Sequence, residues 1–237
     1  MTLKPNITLT LLVVFIYHFA CSQEFCNVQN YSPNQEFSNL SSMLFTNTST
    51  EEMLCINVYY HIVRDDIGSD NSNPIRAFEL GGITTDLNSK YNPHNISFHY
   101  VGYDYIDNAL LNDLQNSEIN PLLAINNVSN AINIYIVNNV TAGWNGFAKT
   151  IPGRYLIIAA NAALSHVVSH EIGHCLNLYH THHGHPIAEP ASSTYPNACE
   201  ELIDGSNNTV CGDYVQDTPA DSGLRVDGID YTNINCT

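Results

Sequence analysis

The chain has 237 residues, enough for one sizeable domain with a buried core. Hydrophobic residues make up 44% and charged residues only 13%, which excludes a long disordered chain and a coiled coil. Seven Lys and Arg stand against 23 Asp and Glu, a net charge of -16, so the chain has no electrostatic footing on nucleic acid or on an anionic membrane surface. Such a surplus of carboxylates suits hard cations, or simply a soluble acidic surface.

Lys4 is the only Lys, Arg, Asp or Glu among the first 23 residues, and an apolar run follows from Ile7 to Ala20. The run is short and Thr-interrupted, and Ala20-Cys21-Ser22 supplies small residues at its end. The pattern predicts a signal peptide over residues 1–22, Gln23 as the mature N-terminus, and a secreted or extracellular protein. Lipidation at Cys21, with a periplasmic or anchored product, is the alternative. No later run reaches ~18 apolar residues, so no transmembrane helix is expected. Six cysteines remain after the leader: Cys26, Cys55, Cys175, Cys199, Cys211 and Cys236. An even count in an exported chain predicts disulfides and leaves their connectivity open. Cys175 lies inside the strongest helical pattern and reads as a buried thiol.

Residues 23–53 are rich in Ser, Asn and Thr and read as an irregular N-terminal or pro segment, ahead of a domain over 54–237. Residues 54–64 (LCINVYYHIVR) are β-branched and aromatic, a strand. A polar turn over 65–74 leads to a helix over 77–91, weakened by Gly81-Gly82. Residues 96–101 predict a second strand, and 105–125 a polar, partly helical stretch. Residues 131–137 alternate as a third strand, 144–149 form a short one, and 155–159 (YLIIA) a buried one. Residues 162–176 (AALSHVVSHEIGHCL) carry the best helix pattern. Beyond His180 the chain turns to Pro, Gly, Asn, Asp and Cys without periodicity, a cross-linked or metal-held loop region. Strands with helices between them predict a twisted mixed sheet in an α/β (α+β) domain.

His170-Glu171-Ile172-Gly173-His174 is the pattern H-E-x-x-H. Positions i and i+4 share one helix face, so both imidazoles reach one metal ion, and neutral imidazole suits zinc. Glu171 is placed to take a proton from a water that zinc activates. Val167, Val168, Ile172, Cys175 and Leu176 give this helix its apolar stripe. His180 follows six residues after His174, a spacing that a continuous helix cannot use. The chain must break and turn back, with a positive φ near the middle of the gap. Glycine is the usual residue there; this chain has Asn177, the next most tolerant.

His170 to His180 resembles the zinc-binding stretch of the metzincin endopeptidases, H-E-x-x-H-x-x-G-x-x-H. Leu178-Tyr179-His180-Thr181-His182 and Gly212-Asp213-Tyr214-Val215-Gln216-Asp217-Thr218-Pro219-Ala220 narrow the resemblance to the pappalysin family. Residues 56–63, Gly146-Phe147-Ala148 and Ile151-Pro152-Gly153 are similar to stretches of that family ahead of its active-site helix. The resemblance covers roughly residues 54–237. It implies a metzincin-like catalytic domain and a secreted zinc metalloendopeptidase acting on protein or peptide substrates. His170, His174 and His180 would be its zinc ligands and Glu171 its catalytic residue. Metzincins carry a methionine-containing turn beyond the third ligand. Met1, Met43 and Met53 all lie upstream, so the resemblance implies a domain that continues past Thr237. A catalytically inactive or truncated metal-binding module of the same fold is the alternative reading.

His61, His166, His182, His183 and His185 read as solvated or hydrogen-bonded histidines. Glu200 and Asp204 resemble the third-ligand element of gluzincin peptidases, but Pro186, Pro190 and Pro196 crowd its approach. Asp213, Asp217 and Asp221 recur every four residues in a loop, and their convergence would make a calcium site, which pappalysin relatives also use. Cys211 and Cys236 bracket this loop and are the expected disulfide. Oligomeric state has no signal in the sequence.

Overall fold

The computed structural model describes residues 53–141, 143–186 and 196–221, and the backbone of 225–226 and 229–230. The leader over 1–22, most of the segment to 53, Cys26 and Cys236 lie outside the described residues. Five strands form one sheet: β1 (Leu54–Arg64), β2 (Ile96–Asp107), β4 (Ile132–Val137), β7 (Tyr155–Ala159) and β6 (Gly146–Ala148), in the order β2-β1-β4-β7-β6. The first four are parallel and β6 runs antiparallel along β7 at the edge. The mixed α/β sheet is therefore as the sequence predicts. All six residues of β4 are buried, because layers cover both faces of a central parallel strand.

One face carries both long helices, α1 (Leu80–Tyr91) and α4 (Val167–Cys175). Ile83 and Leu87 of α1 and Val168, Ile172 and Cys175 of α4 pack in one cluster with Val58, Tyr60, Ile62, Ile134 and Ile158. The helices also touch each other: the Tyr91 hydroxyl donates to the Ser169 carbonyl at 2.8 Å. Gly81 and Gly82 do not prevent α1. Two glycines cost about 2 kcal/mol in propensity, whereas burying Leu80, Ile83 and Leu87 supplies roughly 1.5–3 kcal/mol each.

The other face is covered by residues 108–125, which hold two single-turn helices, α2 (Ala109–Asn112) and α3 (Ile119–Leu122). Leu111, Leu114, Leu122 and Leu123 close over Val63, Tyr135, Val137 and Ile157. Two short strand pairs lie outside the main sheet: β3 (Asp113–Leu114) with β5 (Asn139–Val140), and β8 (Arg225–Val226) with β9 (Ile229–Asp230).

Two element boundaries and one disulfide differ notably from the sequence reading. β2 continues to Asp107 through a bulge at Val101, where Val58 pairs with Tyr100 and Tyr59 with Gly102. Gly102 adopts φ 150°, and a Cβ there would sit 3.0 Å from the Tyr59 ring. Helix α4 starts at Val167, not 162. Ala160–Ala162 form a 3₁₀ turn, and Ser165 Oγ donates to the Ala162 carbonyl at 2.7 Å, a local bond that competes with helix. Cys211 pairs with Cys199, not with Cys236. The intervening loop folds on itself: Asn207 accepts from Leu202 N and donates to the Glu200 carbonyl, and Gly212 N donates to the Cys199 carbonyl at 2.9 Å. Cys55 is disulfide-bonded as well, and Cys175 is a free, buried thiol that burial pushes up to about 12.

Candidate metal centre and active site

His170 and His174 stand one turn apart on α4, their ring centroids 4.7 Å apart. The helix ends at Cys175 with Leu176 as its C-cap, and Asn177 takes the left-handed conformation with φ 77°. Leu178 N donates to the Gly173 carbonyl at 2.9 Å and Asn177 N to the His174 carbonyl at 3.0 Å, the paired bonds of a Schellman cap. That cap reverses the chain and returns His180 to the helix face. The three Nε2 atoms then lie 3.1–3.2 Å from one another. Three imidazole nitrogens converging so closely could hold a cation. Four-coordinate zinc with Zn–N of ~2.0–2.1 Å needs donors about 3.3 Å apart. His174 Nδ1 donates to the Leu178 carbonyl at 2.7 Å, which leaves the lone pair on Nε2, facing its partners. Burial, then the neighbouring imidazoles, hold His170 below its ordinary pKa and favour its neutral, ligating form.

Glu171 is 6% exposed and points from α4 toward β6. Burial pushes its carboxyl up to about 7, opposed by a hydrogen bond that it accepts from the Ala148 backbone N–H. A cleft of about 290 Å³ opens over these groups, lined by Gly146, Phe147, Ala148, Ile151, His170, Glu171, His174 and His180. Thr181 ties the third histidine's loop to the following segment by donating to the Asp221 carboxylate, and the His182 ring stacks on that of His180 at 4.9 Å.

The structure brings together His170, His174, His180 and Glu171. Among the described residues these three histidines are the one group of three or more ligand-type side chains that converges on a point. His61 lies wholly buried, 2.7 Å from Asp104 and 3.1 Å from Asn133. His183 and His185 are buried rather than solvated. His183 packs between Tyr179 and Tyr214, and His185 lies 3.5 Å from Glu200. Glu200 thus faces His185 and Asp204 accepts from Ser206 N, so neither joins the histidine group as a gluzincin ligand would.

Asp213, Asp217 and Asp221 do not converge. Asp213 is buried and accepts from Val215 N and the Thr218 hydroxyl, Asp221 accepts from Thr181, and Asp217 is exposed. The acidic neighbour of Asp213 is Glu201, 7% exposed, whose Oε2 is buried without a hydrogen-bond partner. Burial, then Asp213, raises the Glu201 pKa. Sequence reasoning missed Glu201, the Ala148 N–H and the Leu178 carbonyl. Two of these are backbone groups, which carry no residue-type signal.

No family model matches the chain. It is 26% identical over 213 residues to an extracellular metalloprotease of Colletotrichum graminicola, an overlap of 79% of this chain and 66% of that protein. It is 29% identical over 187 residues to one of Neurospora crassa, covering 70% of this chain and 56% of that protein. It is 27% identical over 194 residues to a third, of Sordaria macrospora, covering 73% and 59%. The chain is a distant relative of extracellular metalloproteases. It spans about three fifths of the length of these relatives. Among the described residues no helix is long and apolar enough to cross a membrane.

Proposed function

We propose that this chain is a secreted zinc metalloendopeptidase of the pappalysin type. The observation that carries the reading is the convergence of three Nε2 atoms at 3.1–3.2 Å beside a buried carboxylate. His170, His174 and His180 would hold zinc. The metal supplies Lewis acidity toward a water and a peptide carbonyl. Glu171 takes a proton from the attacking water and delivers it to the leaving amine. Its hydrogen bond to Ala148 keeps the carboxylate at the cleft, and its burial favours holding the proton between those two steps.

The cleft is bordered by an edge strand. Ala159 N donates to the Asn145 carbonyl and Lys149 N to the Tyr155 carbonyl, both at 2.9 Å, so odd-numbered residues of this stretch face β7. The backbone groups of Gly146 and Ala148 face the other way, toward the cleft. An extended peptide would pair there, with alternate side chains entering pockets.

Glu171→Ala is expected to abolish peptide cleavage, read with a quenched peptide library, while zinc stoichiometry stays near one. Wild-type turnover in this variant overturns the mechanism. His180→Ala loses the metal and Glu200→Ala does not; the reverse result moves the site to a gluzincin arrangement. Zinc binding with no cleavage that Glu171→Ala removes would leave the inactive metal-binding module.

Calcium belongs to the same proposal, relocated. Asp213 with Glu201, not with Asp217, would supply the carboxylates, because the buried Glu201 Oε2 has no partner and lies beside Asp213. Calcium then raises the melting temperature of the wild type and not of Glu201→Gln; equal shifts in both remove this site.

A further inference from the structure

Resting on the peptidase reading, we infer that Gly146 is a positioning residue for the general base: the missing side chain on β6 is the seat in which the Glu171 carboxylate lies. A Cβ built on Gly146 would meet Glu171 Oε1 at 2.6 Å, Glu171 Cγ at 2.7 Å and Val167 Cγ1 at 2.6 Å. Real Cβ atoms do not approach heavy atoms that closely, so any other residue at 146 displaces helix, strand or carboxylate. Gly146 is not there for its backbone freedom. No positive φ is recorded for it, and it pairs regularly with Ile158. Its role is close approach.

Two residues on, the Ala148 N–H donates to the same carboxylate. This N–H costs the sheet nothing, since the ladder to β7 uses the groups on either side of it. Glycine at 146 and the outward-facing N–H at 148 thus act together. The first lets Glu171 reach the strand, and the second fixes its orientation. The strand proposed to pair with substrate is also the strand that aims the base, so peptide register and proton transfer share one rigid element. Among the outward backbone groups of β6, Ala148 N–H is already committed. Gly146 N–H, Gly146 C=O and Ala148 C=O remain for a peptide.

The test is a double-mutant cycle with two readouts on the full chain. Gly146→Ala should lower kcat about 100-fold, the scale of a ~1 Å misplacement of a catalytic group. KM should stay within threefold and zinc stoichiometry unchanged. Its loss in melting temperature should shrink by at least half when Glu171 is also changed to Ala, because the carboxylate it collides with is gone. Folding of the double variant where Gly146→Ala alone fails to fold is the same result in stronger form. An unchanged kcat, or an equal loss of stability in both backgrounds, overturns the seat and assigns the close packing to Val167. If the wild type shows no Glu171-dependent cleavage, the peptidase reading falls while the stability cycle still decides the seat.

Discussion

Glu171 is buried, yet the proposed general base must ionise to act. In the metal-free protein its carboxyl is pushed up to about 7, against 4.5 for an unperturbed Glu. The folded state therefore binds this proton over a pH range in which the unfolded chain has released it. Stability from this group is fully present below about pH 4.5 and is lost as pH rises through about 7. The loss amounts to about 3 kcal/mol at neutral pH, given the rise from 4.5 to about 7. Glu171→Gln, which cannot ionise, should melt at a higher temperature than the wild type in chelator at pH 8 and at nearly the same temperature at pH 4. Thermal scans across that range check it, and a constant difference at all pH values would contradict it. At this scale the site was legible where chemistry lives in side-chain identity. His170, Glu171, His174 and His180 announce themselves by type and spacing. The seat at Gly146 does not, because a glycine that makes room for a residue 25 positions away looks like any strand glycine. Cys175 shows the converse: its apolar neighbours on α4 predicted the inert thiol that the structure contains. It should resist iodoacetamide at pH 8 in the native protein and react once the protein is denatured.

The C-terminal end of α4 is set by its cap as much as by its periodicity. Asn177 carries the turn that returns His180 to α4, in a conformation that costs an ordinary L residue about 1–2 kcal/mol. Asn177→Ala should lower stability by about 1 kcal/mol and weaken zinc retention against a competing chelator, since His180, the proposed third ligand, hangs on that cap. Asn177→Gly should match or exceed the wild type in both assays. The sequence predicts this turn from the six-residue gap alone, and the cap is its physical realisation. The helix start was less legible. Ala160 to Ala163 have high helical propensity, but Ser165 bonds the local backbone and delays the helix to Val167. The disulfide was illegible for a related reason. Bracketing positions suggested Cys211–Cys236, whereas the pairing is decided by hydrogen bonds from Asn207 that fold the loop after Cys199 onto itself. Neither Asn207 nor its partners form a pattern that spacing reveals.

On the scale of the molecule, the sheet separates the site from a second layer of polar structure. Both long helices, and with them His170, Glu171 and His174, pack on one face. On the opposite side His61 of β1 stacks on Tyr135 at a centroid distance of 4.3 Å and bridges Asp104 of β2 to Asn133 of β4. Asn133 in turn holds Val128 N and the Val128 and Ala131 carbonyls, and the Tyr135 hydroxyl donates to the Ile125 carbonyl. This network joins three strands to the covering segment through buried hydrogen bonds. A mixed sheet follows from strand patterns with helices between them, whereas the order β2-β1-β4 does not. The network that locks it follows only from knowing which residues become neighbours. His61→Leu keeps the volume and removes both bridges. It should cost about 1–3 kcal/mol, because Asp104 and Asn133 lose a buried partner. Zinc affinity and kcat should remain within twofold of the wild type, since the sheet lies between His61 and the triad. A denaturant titration and a metal-competition assay on the same variant separate the two faces. A fall in zinc affinity matching the fall in stability would mean that the faces are coupled through the sheet rather than insulated by it.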